Sequence, residues 1–215
     1  MEDEMKRAGA GSGTAGPRRL TAGKLTGQKP ALKMKEVWSI RRRLELDGDV
    51  RNLVLFNLAI DSKLRGCDLV RLKVGDVAAG GHVKSRGIII QKKTGRPVQF
   101  EITETTRRSI TALFFDGDVP GADDYLFQSR LEASPHLSTR QYARVVKGSV
   151  ASIGLNPATY GTHSLRHAKA ALIYRKTGNL RAVQLLPGHT KPESTVRYPG
   201  VDVDDALEIS TGIDL

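Results

Sequence analysis

One strand–turn–strand signal, set in a chain otherwise patterned for helices, narrows the fold most. Gly87-Ile88-Ile89-Ile90-Gln91 is β-branched and apolar, and Pro97-Val98-Gln99-Phe100-Glu101-Ile102 alternates. Between them Lys92-Lys93-Thr94-Gly95-Arg96 is a turn containing glycine. The expected product is a hairpin whose proline-led second strand lies at an edge and whose tip carries three cations. An exposed tip of that kind can reach into a polyanionic groove.

The flanking segments read as helices. Residues 31–46 place Leu32, Val37, Ile40 and Leu44 on one face, beside the basic run Arg41-Arg42-Arg43. Residues 50–61 are apolar enough for a buried helix, 65–73 read as a short helix, and Gly80-Gly81 as a loop. Beyond the hairpin, Thr103 is the expected N-cap of a helix ending at Phe115. Another helix is expected over Ser138–Ile153, with Arg140, Arg144 and Lys147 on nearby turns. The next runs from His163 to Lys176, capped by Thr162 and ended by Gly178. Three shorter pieces follow, over 179–186, 193–198 and 202–209. The expected fold class is therefore mainly α with a small antiparallel β-sheet or hairpin (α+β). One folded domain over 26–215 is expected after a disordered basic tail over 1–25.

Charge points to the partner. Lys and Arg number 34 against 23 Asp and Glu, a net charge of +11, which suits a nucleic acid, although a solvated basic surface explains the excess equally well. Cys67 is the single cysteine, so no internal disulfide can form, and a reducing cytoplasmic location is expected. No apolar run approaches the ~18 residues of a membrane span, so no membrane partner is expected.

The chemistry concentrates in the last third. His163-Ser164-Leu165-Arg166 sets a histidine and an arginine on one helical face, and Gly188-His189 and Tyr198 follow. No metal-ligand spacing accounts for these histidines, and neither a metal nor a cofactor is expected. Arginine forks match phosphate oxygens, and a tyrosine hydroxyl is a candidate covalent nucleophile. Alone, each residue has a blander reading as a cap, an ion-pair partner or a half-buried tyrosine.

Jointly, these residues resemble the tyrosine recombinases, the phage integrase family, with its H-x-x-R, G-H and Y boxes. His189 lies 23 residues after Arg166, and Tyr198 lies 9 after His189. Upstream, Arg65 and Asp68 within Leu64–Leu72 look like the family's first arginine box, and Lys93-Thr94-Gly95 looks like its hairpin lysine. The resemblance covers roughly residues 30–210 and implies the integrase catalytic domain, in a short form lacking the N-terminal core-binding domain.

The implied activity is site-specific cutting and rejoining of DNA through a 3′-phosphotyrosyl bond. The implied catalytic set is Tyr198, Arg65, Lys93, His163, Arg166 and His189. Tyr198 attacks, Arg65 and Arg166 clamp the non-bridging oxygens, and Lys93 protonates the leaving 5′-oxygen. His189 donates to the phosphate, and His163 assists proton transfer from Tyr198. Asp68 is expected to hold its helix or an arginine. Lys92 competes with Lys93, and Tyr160 and Tyr174 are weaker nucleophile candidates. The implied partners are double-stranded DNA, further copies of the chain as a tetramer on paired sites, and an accessory DNA-binding protein.

The sequence departs from the pattern at Pro187, Pro192 and Pro199, which fall where apolar or helix-compatible residues are expected. Pro199 biases Tyr198 away from helical geometry. Two alternatives therefore stay open: a catalytically weakened DNA-binding relative acting as regulator or accessory subunit, and a type IB topoisomerase-like activity.

Overall fold

The computed structural model describes residues 29–115, 121–130 and 134–178. The expected disordered tail, the three helical pieces after Gly178, and with them His189, Tyr198 and the prolines at 187, 192 and 199, lie outside the described residues.

The first described residue is Lys29, whose Nζ donates to the carbonyls of Ala158 (2.6 Å) and Tyr160 (3.1 Å). Helix α1 (Met34–Leu46) follows, with Glu36 accepting from the Lys33 backbone N–H at 2.8 Å to fix its start. Helix α2 (Val50–Ser62) buries every residue from Leu53 to Ser62. A helix apolar on most faces must be wrapped by others, and α2 packs against α1 and against two helices further along the chain, Glu104–Phe115 and Thr162–Thr177.

Two short turns of helix come next, α3 (Gly66–Leu69) and α4 (Val74–Val77). They replace the continuous 65–73 helix that the sequence suggests. The break has a non-local cause. Leu72 accepts the Leu126 N–H at 2.8 Å and Val74 donates to Asp124 O at 2.9 Å, so this stretch pairs with a distant strand-like segment instead of with itself. Strands β1 (Ala78–Ala79) and β2 (His82–Val83) then form a minimal antiparallel ladder. The expected Gly80-Gly81 loop is its two-residue connection, with φ of +56° and +76°, both in the left-handed region that glycine enters freely.

The anticipated hairpin is present. Strand β3 (Arg86–Ile90) pairs with β4 (Pro97–Glu101) in antiparallel register, Gly87 opposite Phe100 and Ile90 opposite Pro97. A Cβ on Gly87 would lie 2.4 Å from the Phe100 ring, so this position admits only glycine while that ring folds across the strand. Period two turns Gly87 and Ile89 inward and leaves Ile88 and Ile90 exposed. The next inward position is Gln91.

Helix α5 (Glu104–Phe115) starts after Thr103, whose carbonyl accepts the Arg107 N–H at 2.8 Å. Its hydroxyl donates instead to Asp61 at 2.6 Å. Helix α6 (Thr139–Ala151) is capped by Ser138, which exchanges hydrogen bonds with Gln141. Helix α7 (Thr162–Thr177) begins one residue earlier than expected, so that Gly161 and not Thr162 is the cap, and Gly178 ends it. The architecture is mainly helical with small antiparallel sheets, as the sequence indicated. Ile40, Leu58, Leu72, Ile110, Phe127 and Leu165 are among the fully buried side chains of one core.

Candidate active site

Arg65 sits at the entrance of α3 in extended geometry, its carbonyl accepting the N–H groups of Asp68 and Leu69 at 2.9 Å each. That cap aims its half-buried side chain at the hairpin, where Nη1 donates to Gln91 Oε1 at 2.7 Å. Thr94 Oγ1 donates to the same oxygen at 2.9 Å. The Gln91 backbone closes the turn, accepting from Gly95 N and donating to Arg96 O, both at 2.9 Å. Lys93 lies exposed within this turn.

Asp68 is 1% exposed, and its Oδ1 accepts the Lys92 backbone N–H at 2.8 Å. It therefore grips the base of the hairpin turn, a partner beyond the helix or arginine expected for it. Lys92 is tied through its backbone N–H, and the side chains of Lys92 and Lys93 are both exposed on the turn.

The second group lies on α7. Arg166 is 6% exposed and His163 is exposed one turn before it. Partial burial first, and the Arg166 charge second, lower the His163 imidazole below its ordinary pKa. A neutral imidazole at pH 7 can accept a proton. His167, 4% exposed, stacks edge-on against His163 with ring centroids 6.0 Å apart. Sequence reasoning passed over His167, although its place four residues after His163 puts both rings on one face.

A polar junction ties α7 to the end of α2 and to β4. Lys169, one turn past Arg166, pairs with Asp61 Oδ1 at 3.4 Å and with Glu101 at 3.0 Å. Asp61 Oδ2 accepts from Thr103 N, Thr103 Oγ1 and Thr106 Oγ1 at 3.1, 2.6 and 2.6 Å. One carboxylate thus joins the end of α2 to the start of α5 and to the middle of α7, four residues ahead of Arg65. Lys63 closes α2 in left-handed geometry, φ +52°, with 5% exposure. Burial and then the neighbouring Lys169 charge lower its pKa to about 8, against the opposing pull of Glu101 and Asp61.

Three described tyrosines differ in their surroundings. Burial, then the Glu36 charge, raises the Tyr160 phenol. Burial pushes Tyr142 up much further, where its ring packs 3.2 Å from the Cβ position of Gly66. Tyr174 is half-buried near the far end of α7. Among the described residues no set of three His, Cys, Asp or Glu side chains converges as metal ligands.

An arginine at a helix entrance facing a lysine hairpin, with H-x-x-R on a central helix, matches a known profile. Residues 31–204 fit the phage integrase family. The chain belongs to that family. Among its relatives, the probable integrase/recombinase YoeC of Bacillus subtilis is 28% identical over 176 residues, covering 82% of this chain and 91% of that protein. The tyrosine recombinase XerD of Brucella suis is 33% identical over 141 residues, covering 64% of this chain but only 44% of XerD. The integrase chain therefore spans under half the length of that relative. The solved XerH site-specific recombinase, bound to a palindromic difH substrate in a post-cleavage complex, superposes with a TM-score of 0.66. Its identity is 21%, over 85% of this chain and 53% of XerH, a likeness that shows the fold.

Proposed function

We propose that this integrase-family chain is a site-specific recombinase that cuts and rejoins double-stranded DNA through a 3′-phosphotyrosyl intermediate on Tyr198. The observation that carries the reading is the bond of Arg65 to Gln91 on the Lys93 turn; beside it, Lys169–Asp61 ties the helix of His163 and Arg166 to the end of α2, four residues before Arg65. Two guanidiniums on rigid elements, with an ammonium on an adjoining turn, suit one phosphodiester.

In the proposed step Tyr198 Oη forms a bond to phosphorus and the P–O5′ bond breaks. The phenol proton passes to neutral His163, and the Lys93 ammonium protonates the departing 5′-oxygen. Arg65 and Arg166 take the non-bridging oxygens, and both stay charged throughout. His189 adds a hydrogen bond. The phosphotyrosyl ester keeps the phosphodiester energy, so the 5′-hydroxyl of a second strand reverses the step. Double-stranded DNA, a tetramer on paired sites, an accessory DNA-binding protein and a cytoplasmic location belong to this proposal. The names of the relatives and the net charge of +11 support the DNA partner.

Covalent trapping tests it. Nicked duplexes tiled across the DNA flanking the gene are incubated with the protein and run on denaturing gels. A protease-sensitive adduct that Tyr198→Phe abolishes, while DNA binding persists, is the expected result. DNA binding with no adduct on any duplex would replace this reading with the regulatory one, and Pro199 beside Tyr198 would then be the residue to revert first.

A further inference from the structure

We propose that Gln91 is a positioning residue whose side-chain oxygen couples the Arg65 clamp to the Lys93 turn. This rests on the recombinase reading, and it assigns a role to a residue outside the catalytic set.

The argument starts from the pleat. Gly87, Ile89 and Gln91 occupy successive inward positions, so a polar side chain follows two positions turned toward the core. Gln91 is 4% exposed. A buried carboxamide is costly unless it is satisfied. A guanidinium has only donors, so the atom facing Arg65 must be the oxygen. Both of its lone pairs are engaged, one by Arg65 Nη1 and one by Thr94 Oγ1. The residue between Thr94 and Gln91's neighbour Lys92 is Lys93. The same oxygen therefore fixes the orientation of a phosphate clamp and one side of the turn that carries the proton donor. Asp68 fixes the other side through the Lys92 N–H. Clamp and acid act on the same phosphodiester, and a displacement of about 1 Å in such a group costs about a hundredfold in rate.

A leaving-group test separates this role from simple folding support. A duplex with sulfur at the bridging 5′ position releases a thiolate, which departs without a proton. The ratio of cleavage rates, sulfur substrate over oxygen substrate, reports the acid and is independent of the fraction of protein folded. Gln91→Leu, which removes the acceptor, is expected to raise that ratio about a hundredfold, in the direction Lys93→Ala raises it. Gln91→Glu keeps an oxygen for both donors and is expected to leave the ratio at its wild-type value. An unchanged ratio in Gln91→Leu, or an equally raised one in Gln91→Glu, overturns the proposal.

A wild-type chain that forms no adduct refutes the recombinase reading instead, and with it the catalytic part of this one. Amide exchange in the free protein then decides the structural part. Gln91→Leu is expected to deprotect the Lys92 and Gly95 amides while those of α7 keep their protection. Equal protection at all of them overturns it.

Discussion

Lys63 offers a stability test whose sign and size follow from its surroundings. Its ammonium is buried beside Lys169, and Glu101 and Asp61 offset only part of that cost. A fall in pKa from 10.5 to about 8, at about 1.4 kcal/mol per pH unit, corresponds to about 3 kcal/mol of destabilisation while the group is charged. The folded pKa is lowered below the unfolded value, so below pH 8 both states hold the proton and the penalty is complete. Between pH 8 and 10.5 the unfolded chain holds more protons than the folded one, and stability rises with pH. Replacing Lys63 with Met keeps most of the buried stem and removes the charge. The variant is expected to be more stable than wild type at pH 7 by up to about 3 kcal/mol. That advantage should shrink as the pH climbs from 8 to 10.5. Urea denaturation of both proteins at pH 7, 8, 9 and 10 measures the difference directly, and other titrating groups largely cancel between them. A difference that stays constant with pH, or grows, would refute the electrostatic account of Lys63.

Two further perturbations probe the frame of the site. Leu165→Ala empties a fully buried position between His163 and Arg166 and should cost about 2–5 kcal/mol by chemical denaturation; a loss under 1 kcal/mol would mean that α7 is not seated on the core. Asp61→Ala leaves Lys169 without one of its carboxylates and strands the Thr103 N–H and Thr106 hydroxyl, so a loss of about 3–5 kcal/mol is expected, measured in the same way. Retention of near wild-type stability would show that solvent replaces the carboxylate.

Legibility in the sequence followed the range of the interactions. The hairpin, α2, α6 and α7 rest on local periodicity, caps and turn residues, all written within a few positions of one another. The division of 65–73 into α3 and α4 was not legible, because hydrogen bonds to Asp124 and Leu126, some fifty residues away, decide it. Arg65, Lys93, His163 and Arg166 stood out by residue type and spacing. Gln91 carries no motif, but an inward glutamine at the end of an apolar strand was a signal, since it demands a buried donor. His167 was similarly visible only as a face-mate of His163. The pairing of Asp68 with a backbone amide of the hairpin could not be read, because nothing local distinguishes it from an arginine partner.

The Lys29 anchor links two parts of the fold that the sequence keeps far apart. Its ammonium is tied to two carbonyls of the loop that leads into α7, and Leu32 N reaches Ser164 O at 3.5 Å beside it. These bonds join the segment entering α1 to the loop entering α7, so two helix entrances far apart in sequence share one set of contacts. His163 and Arg166, within the first five residues of α7, therefore stand on a helix whose entrance is stitched to the segment that leads into α1.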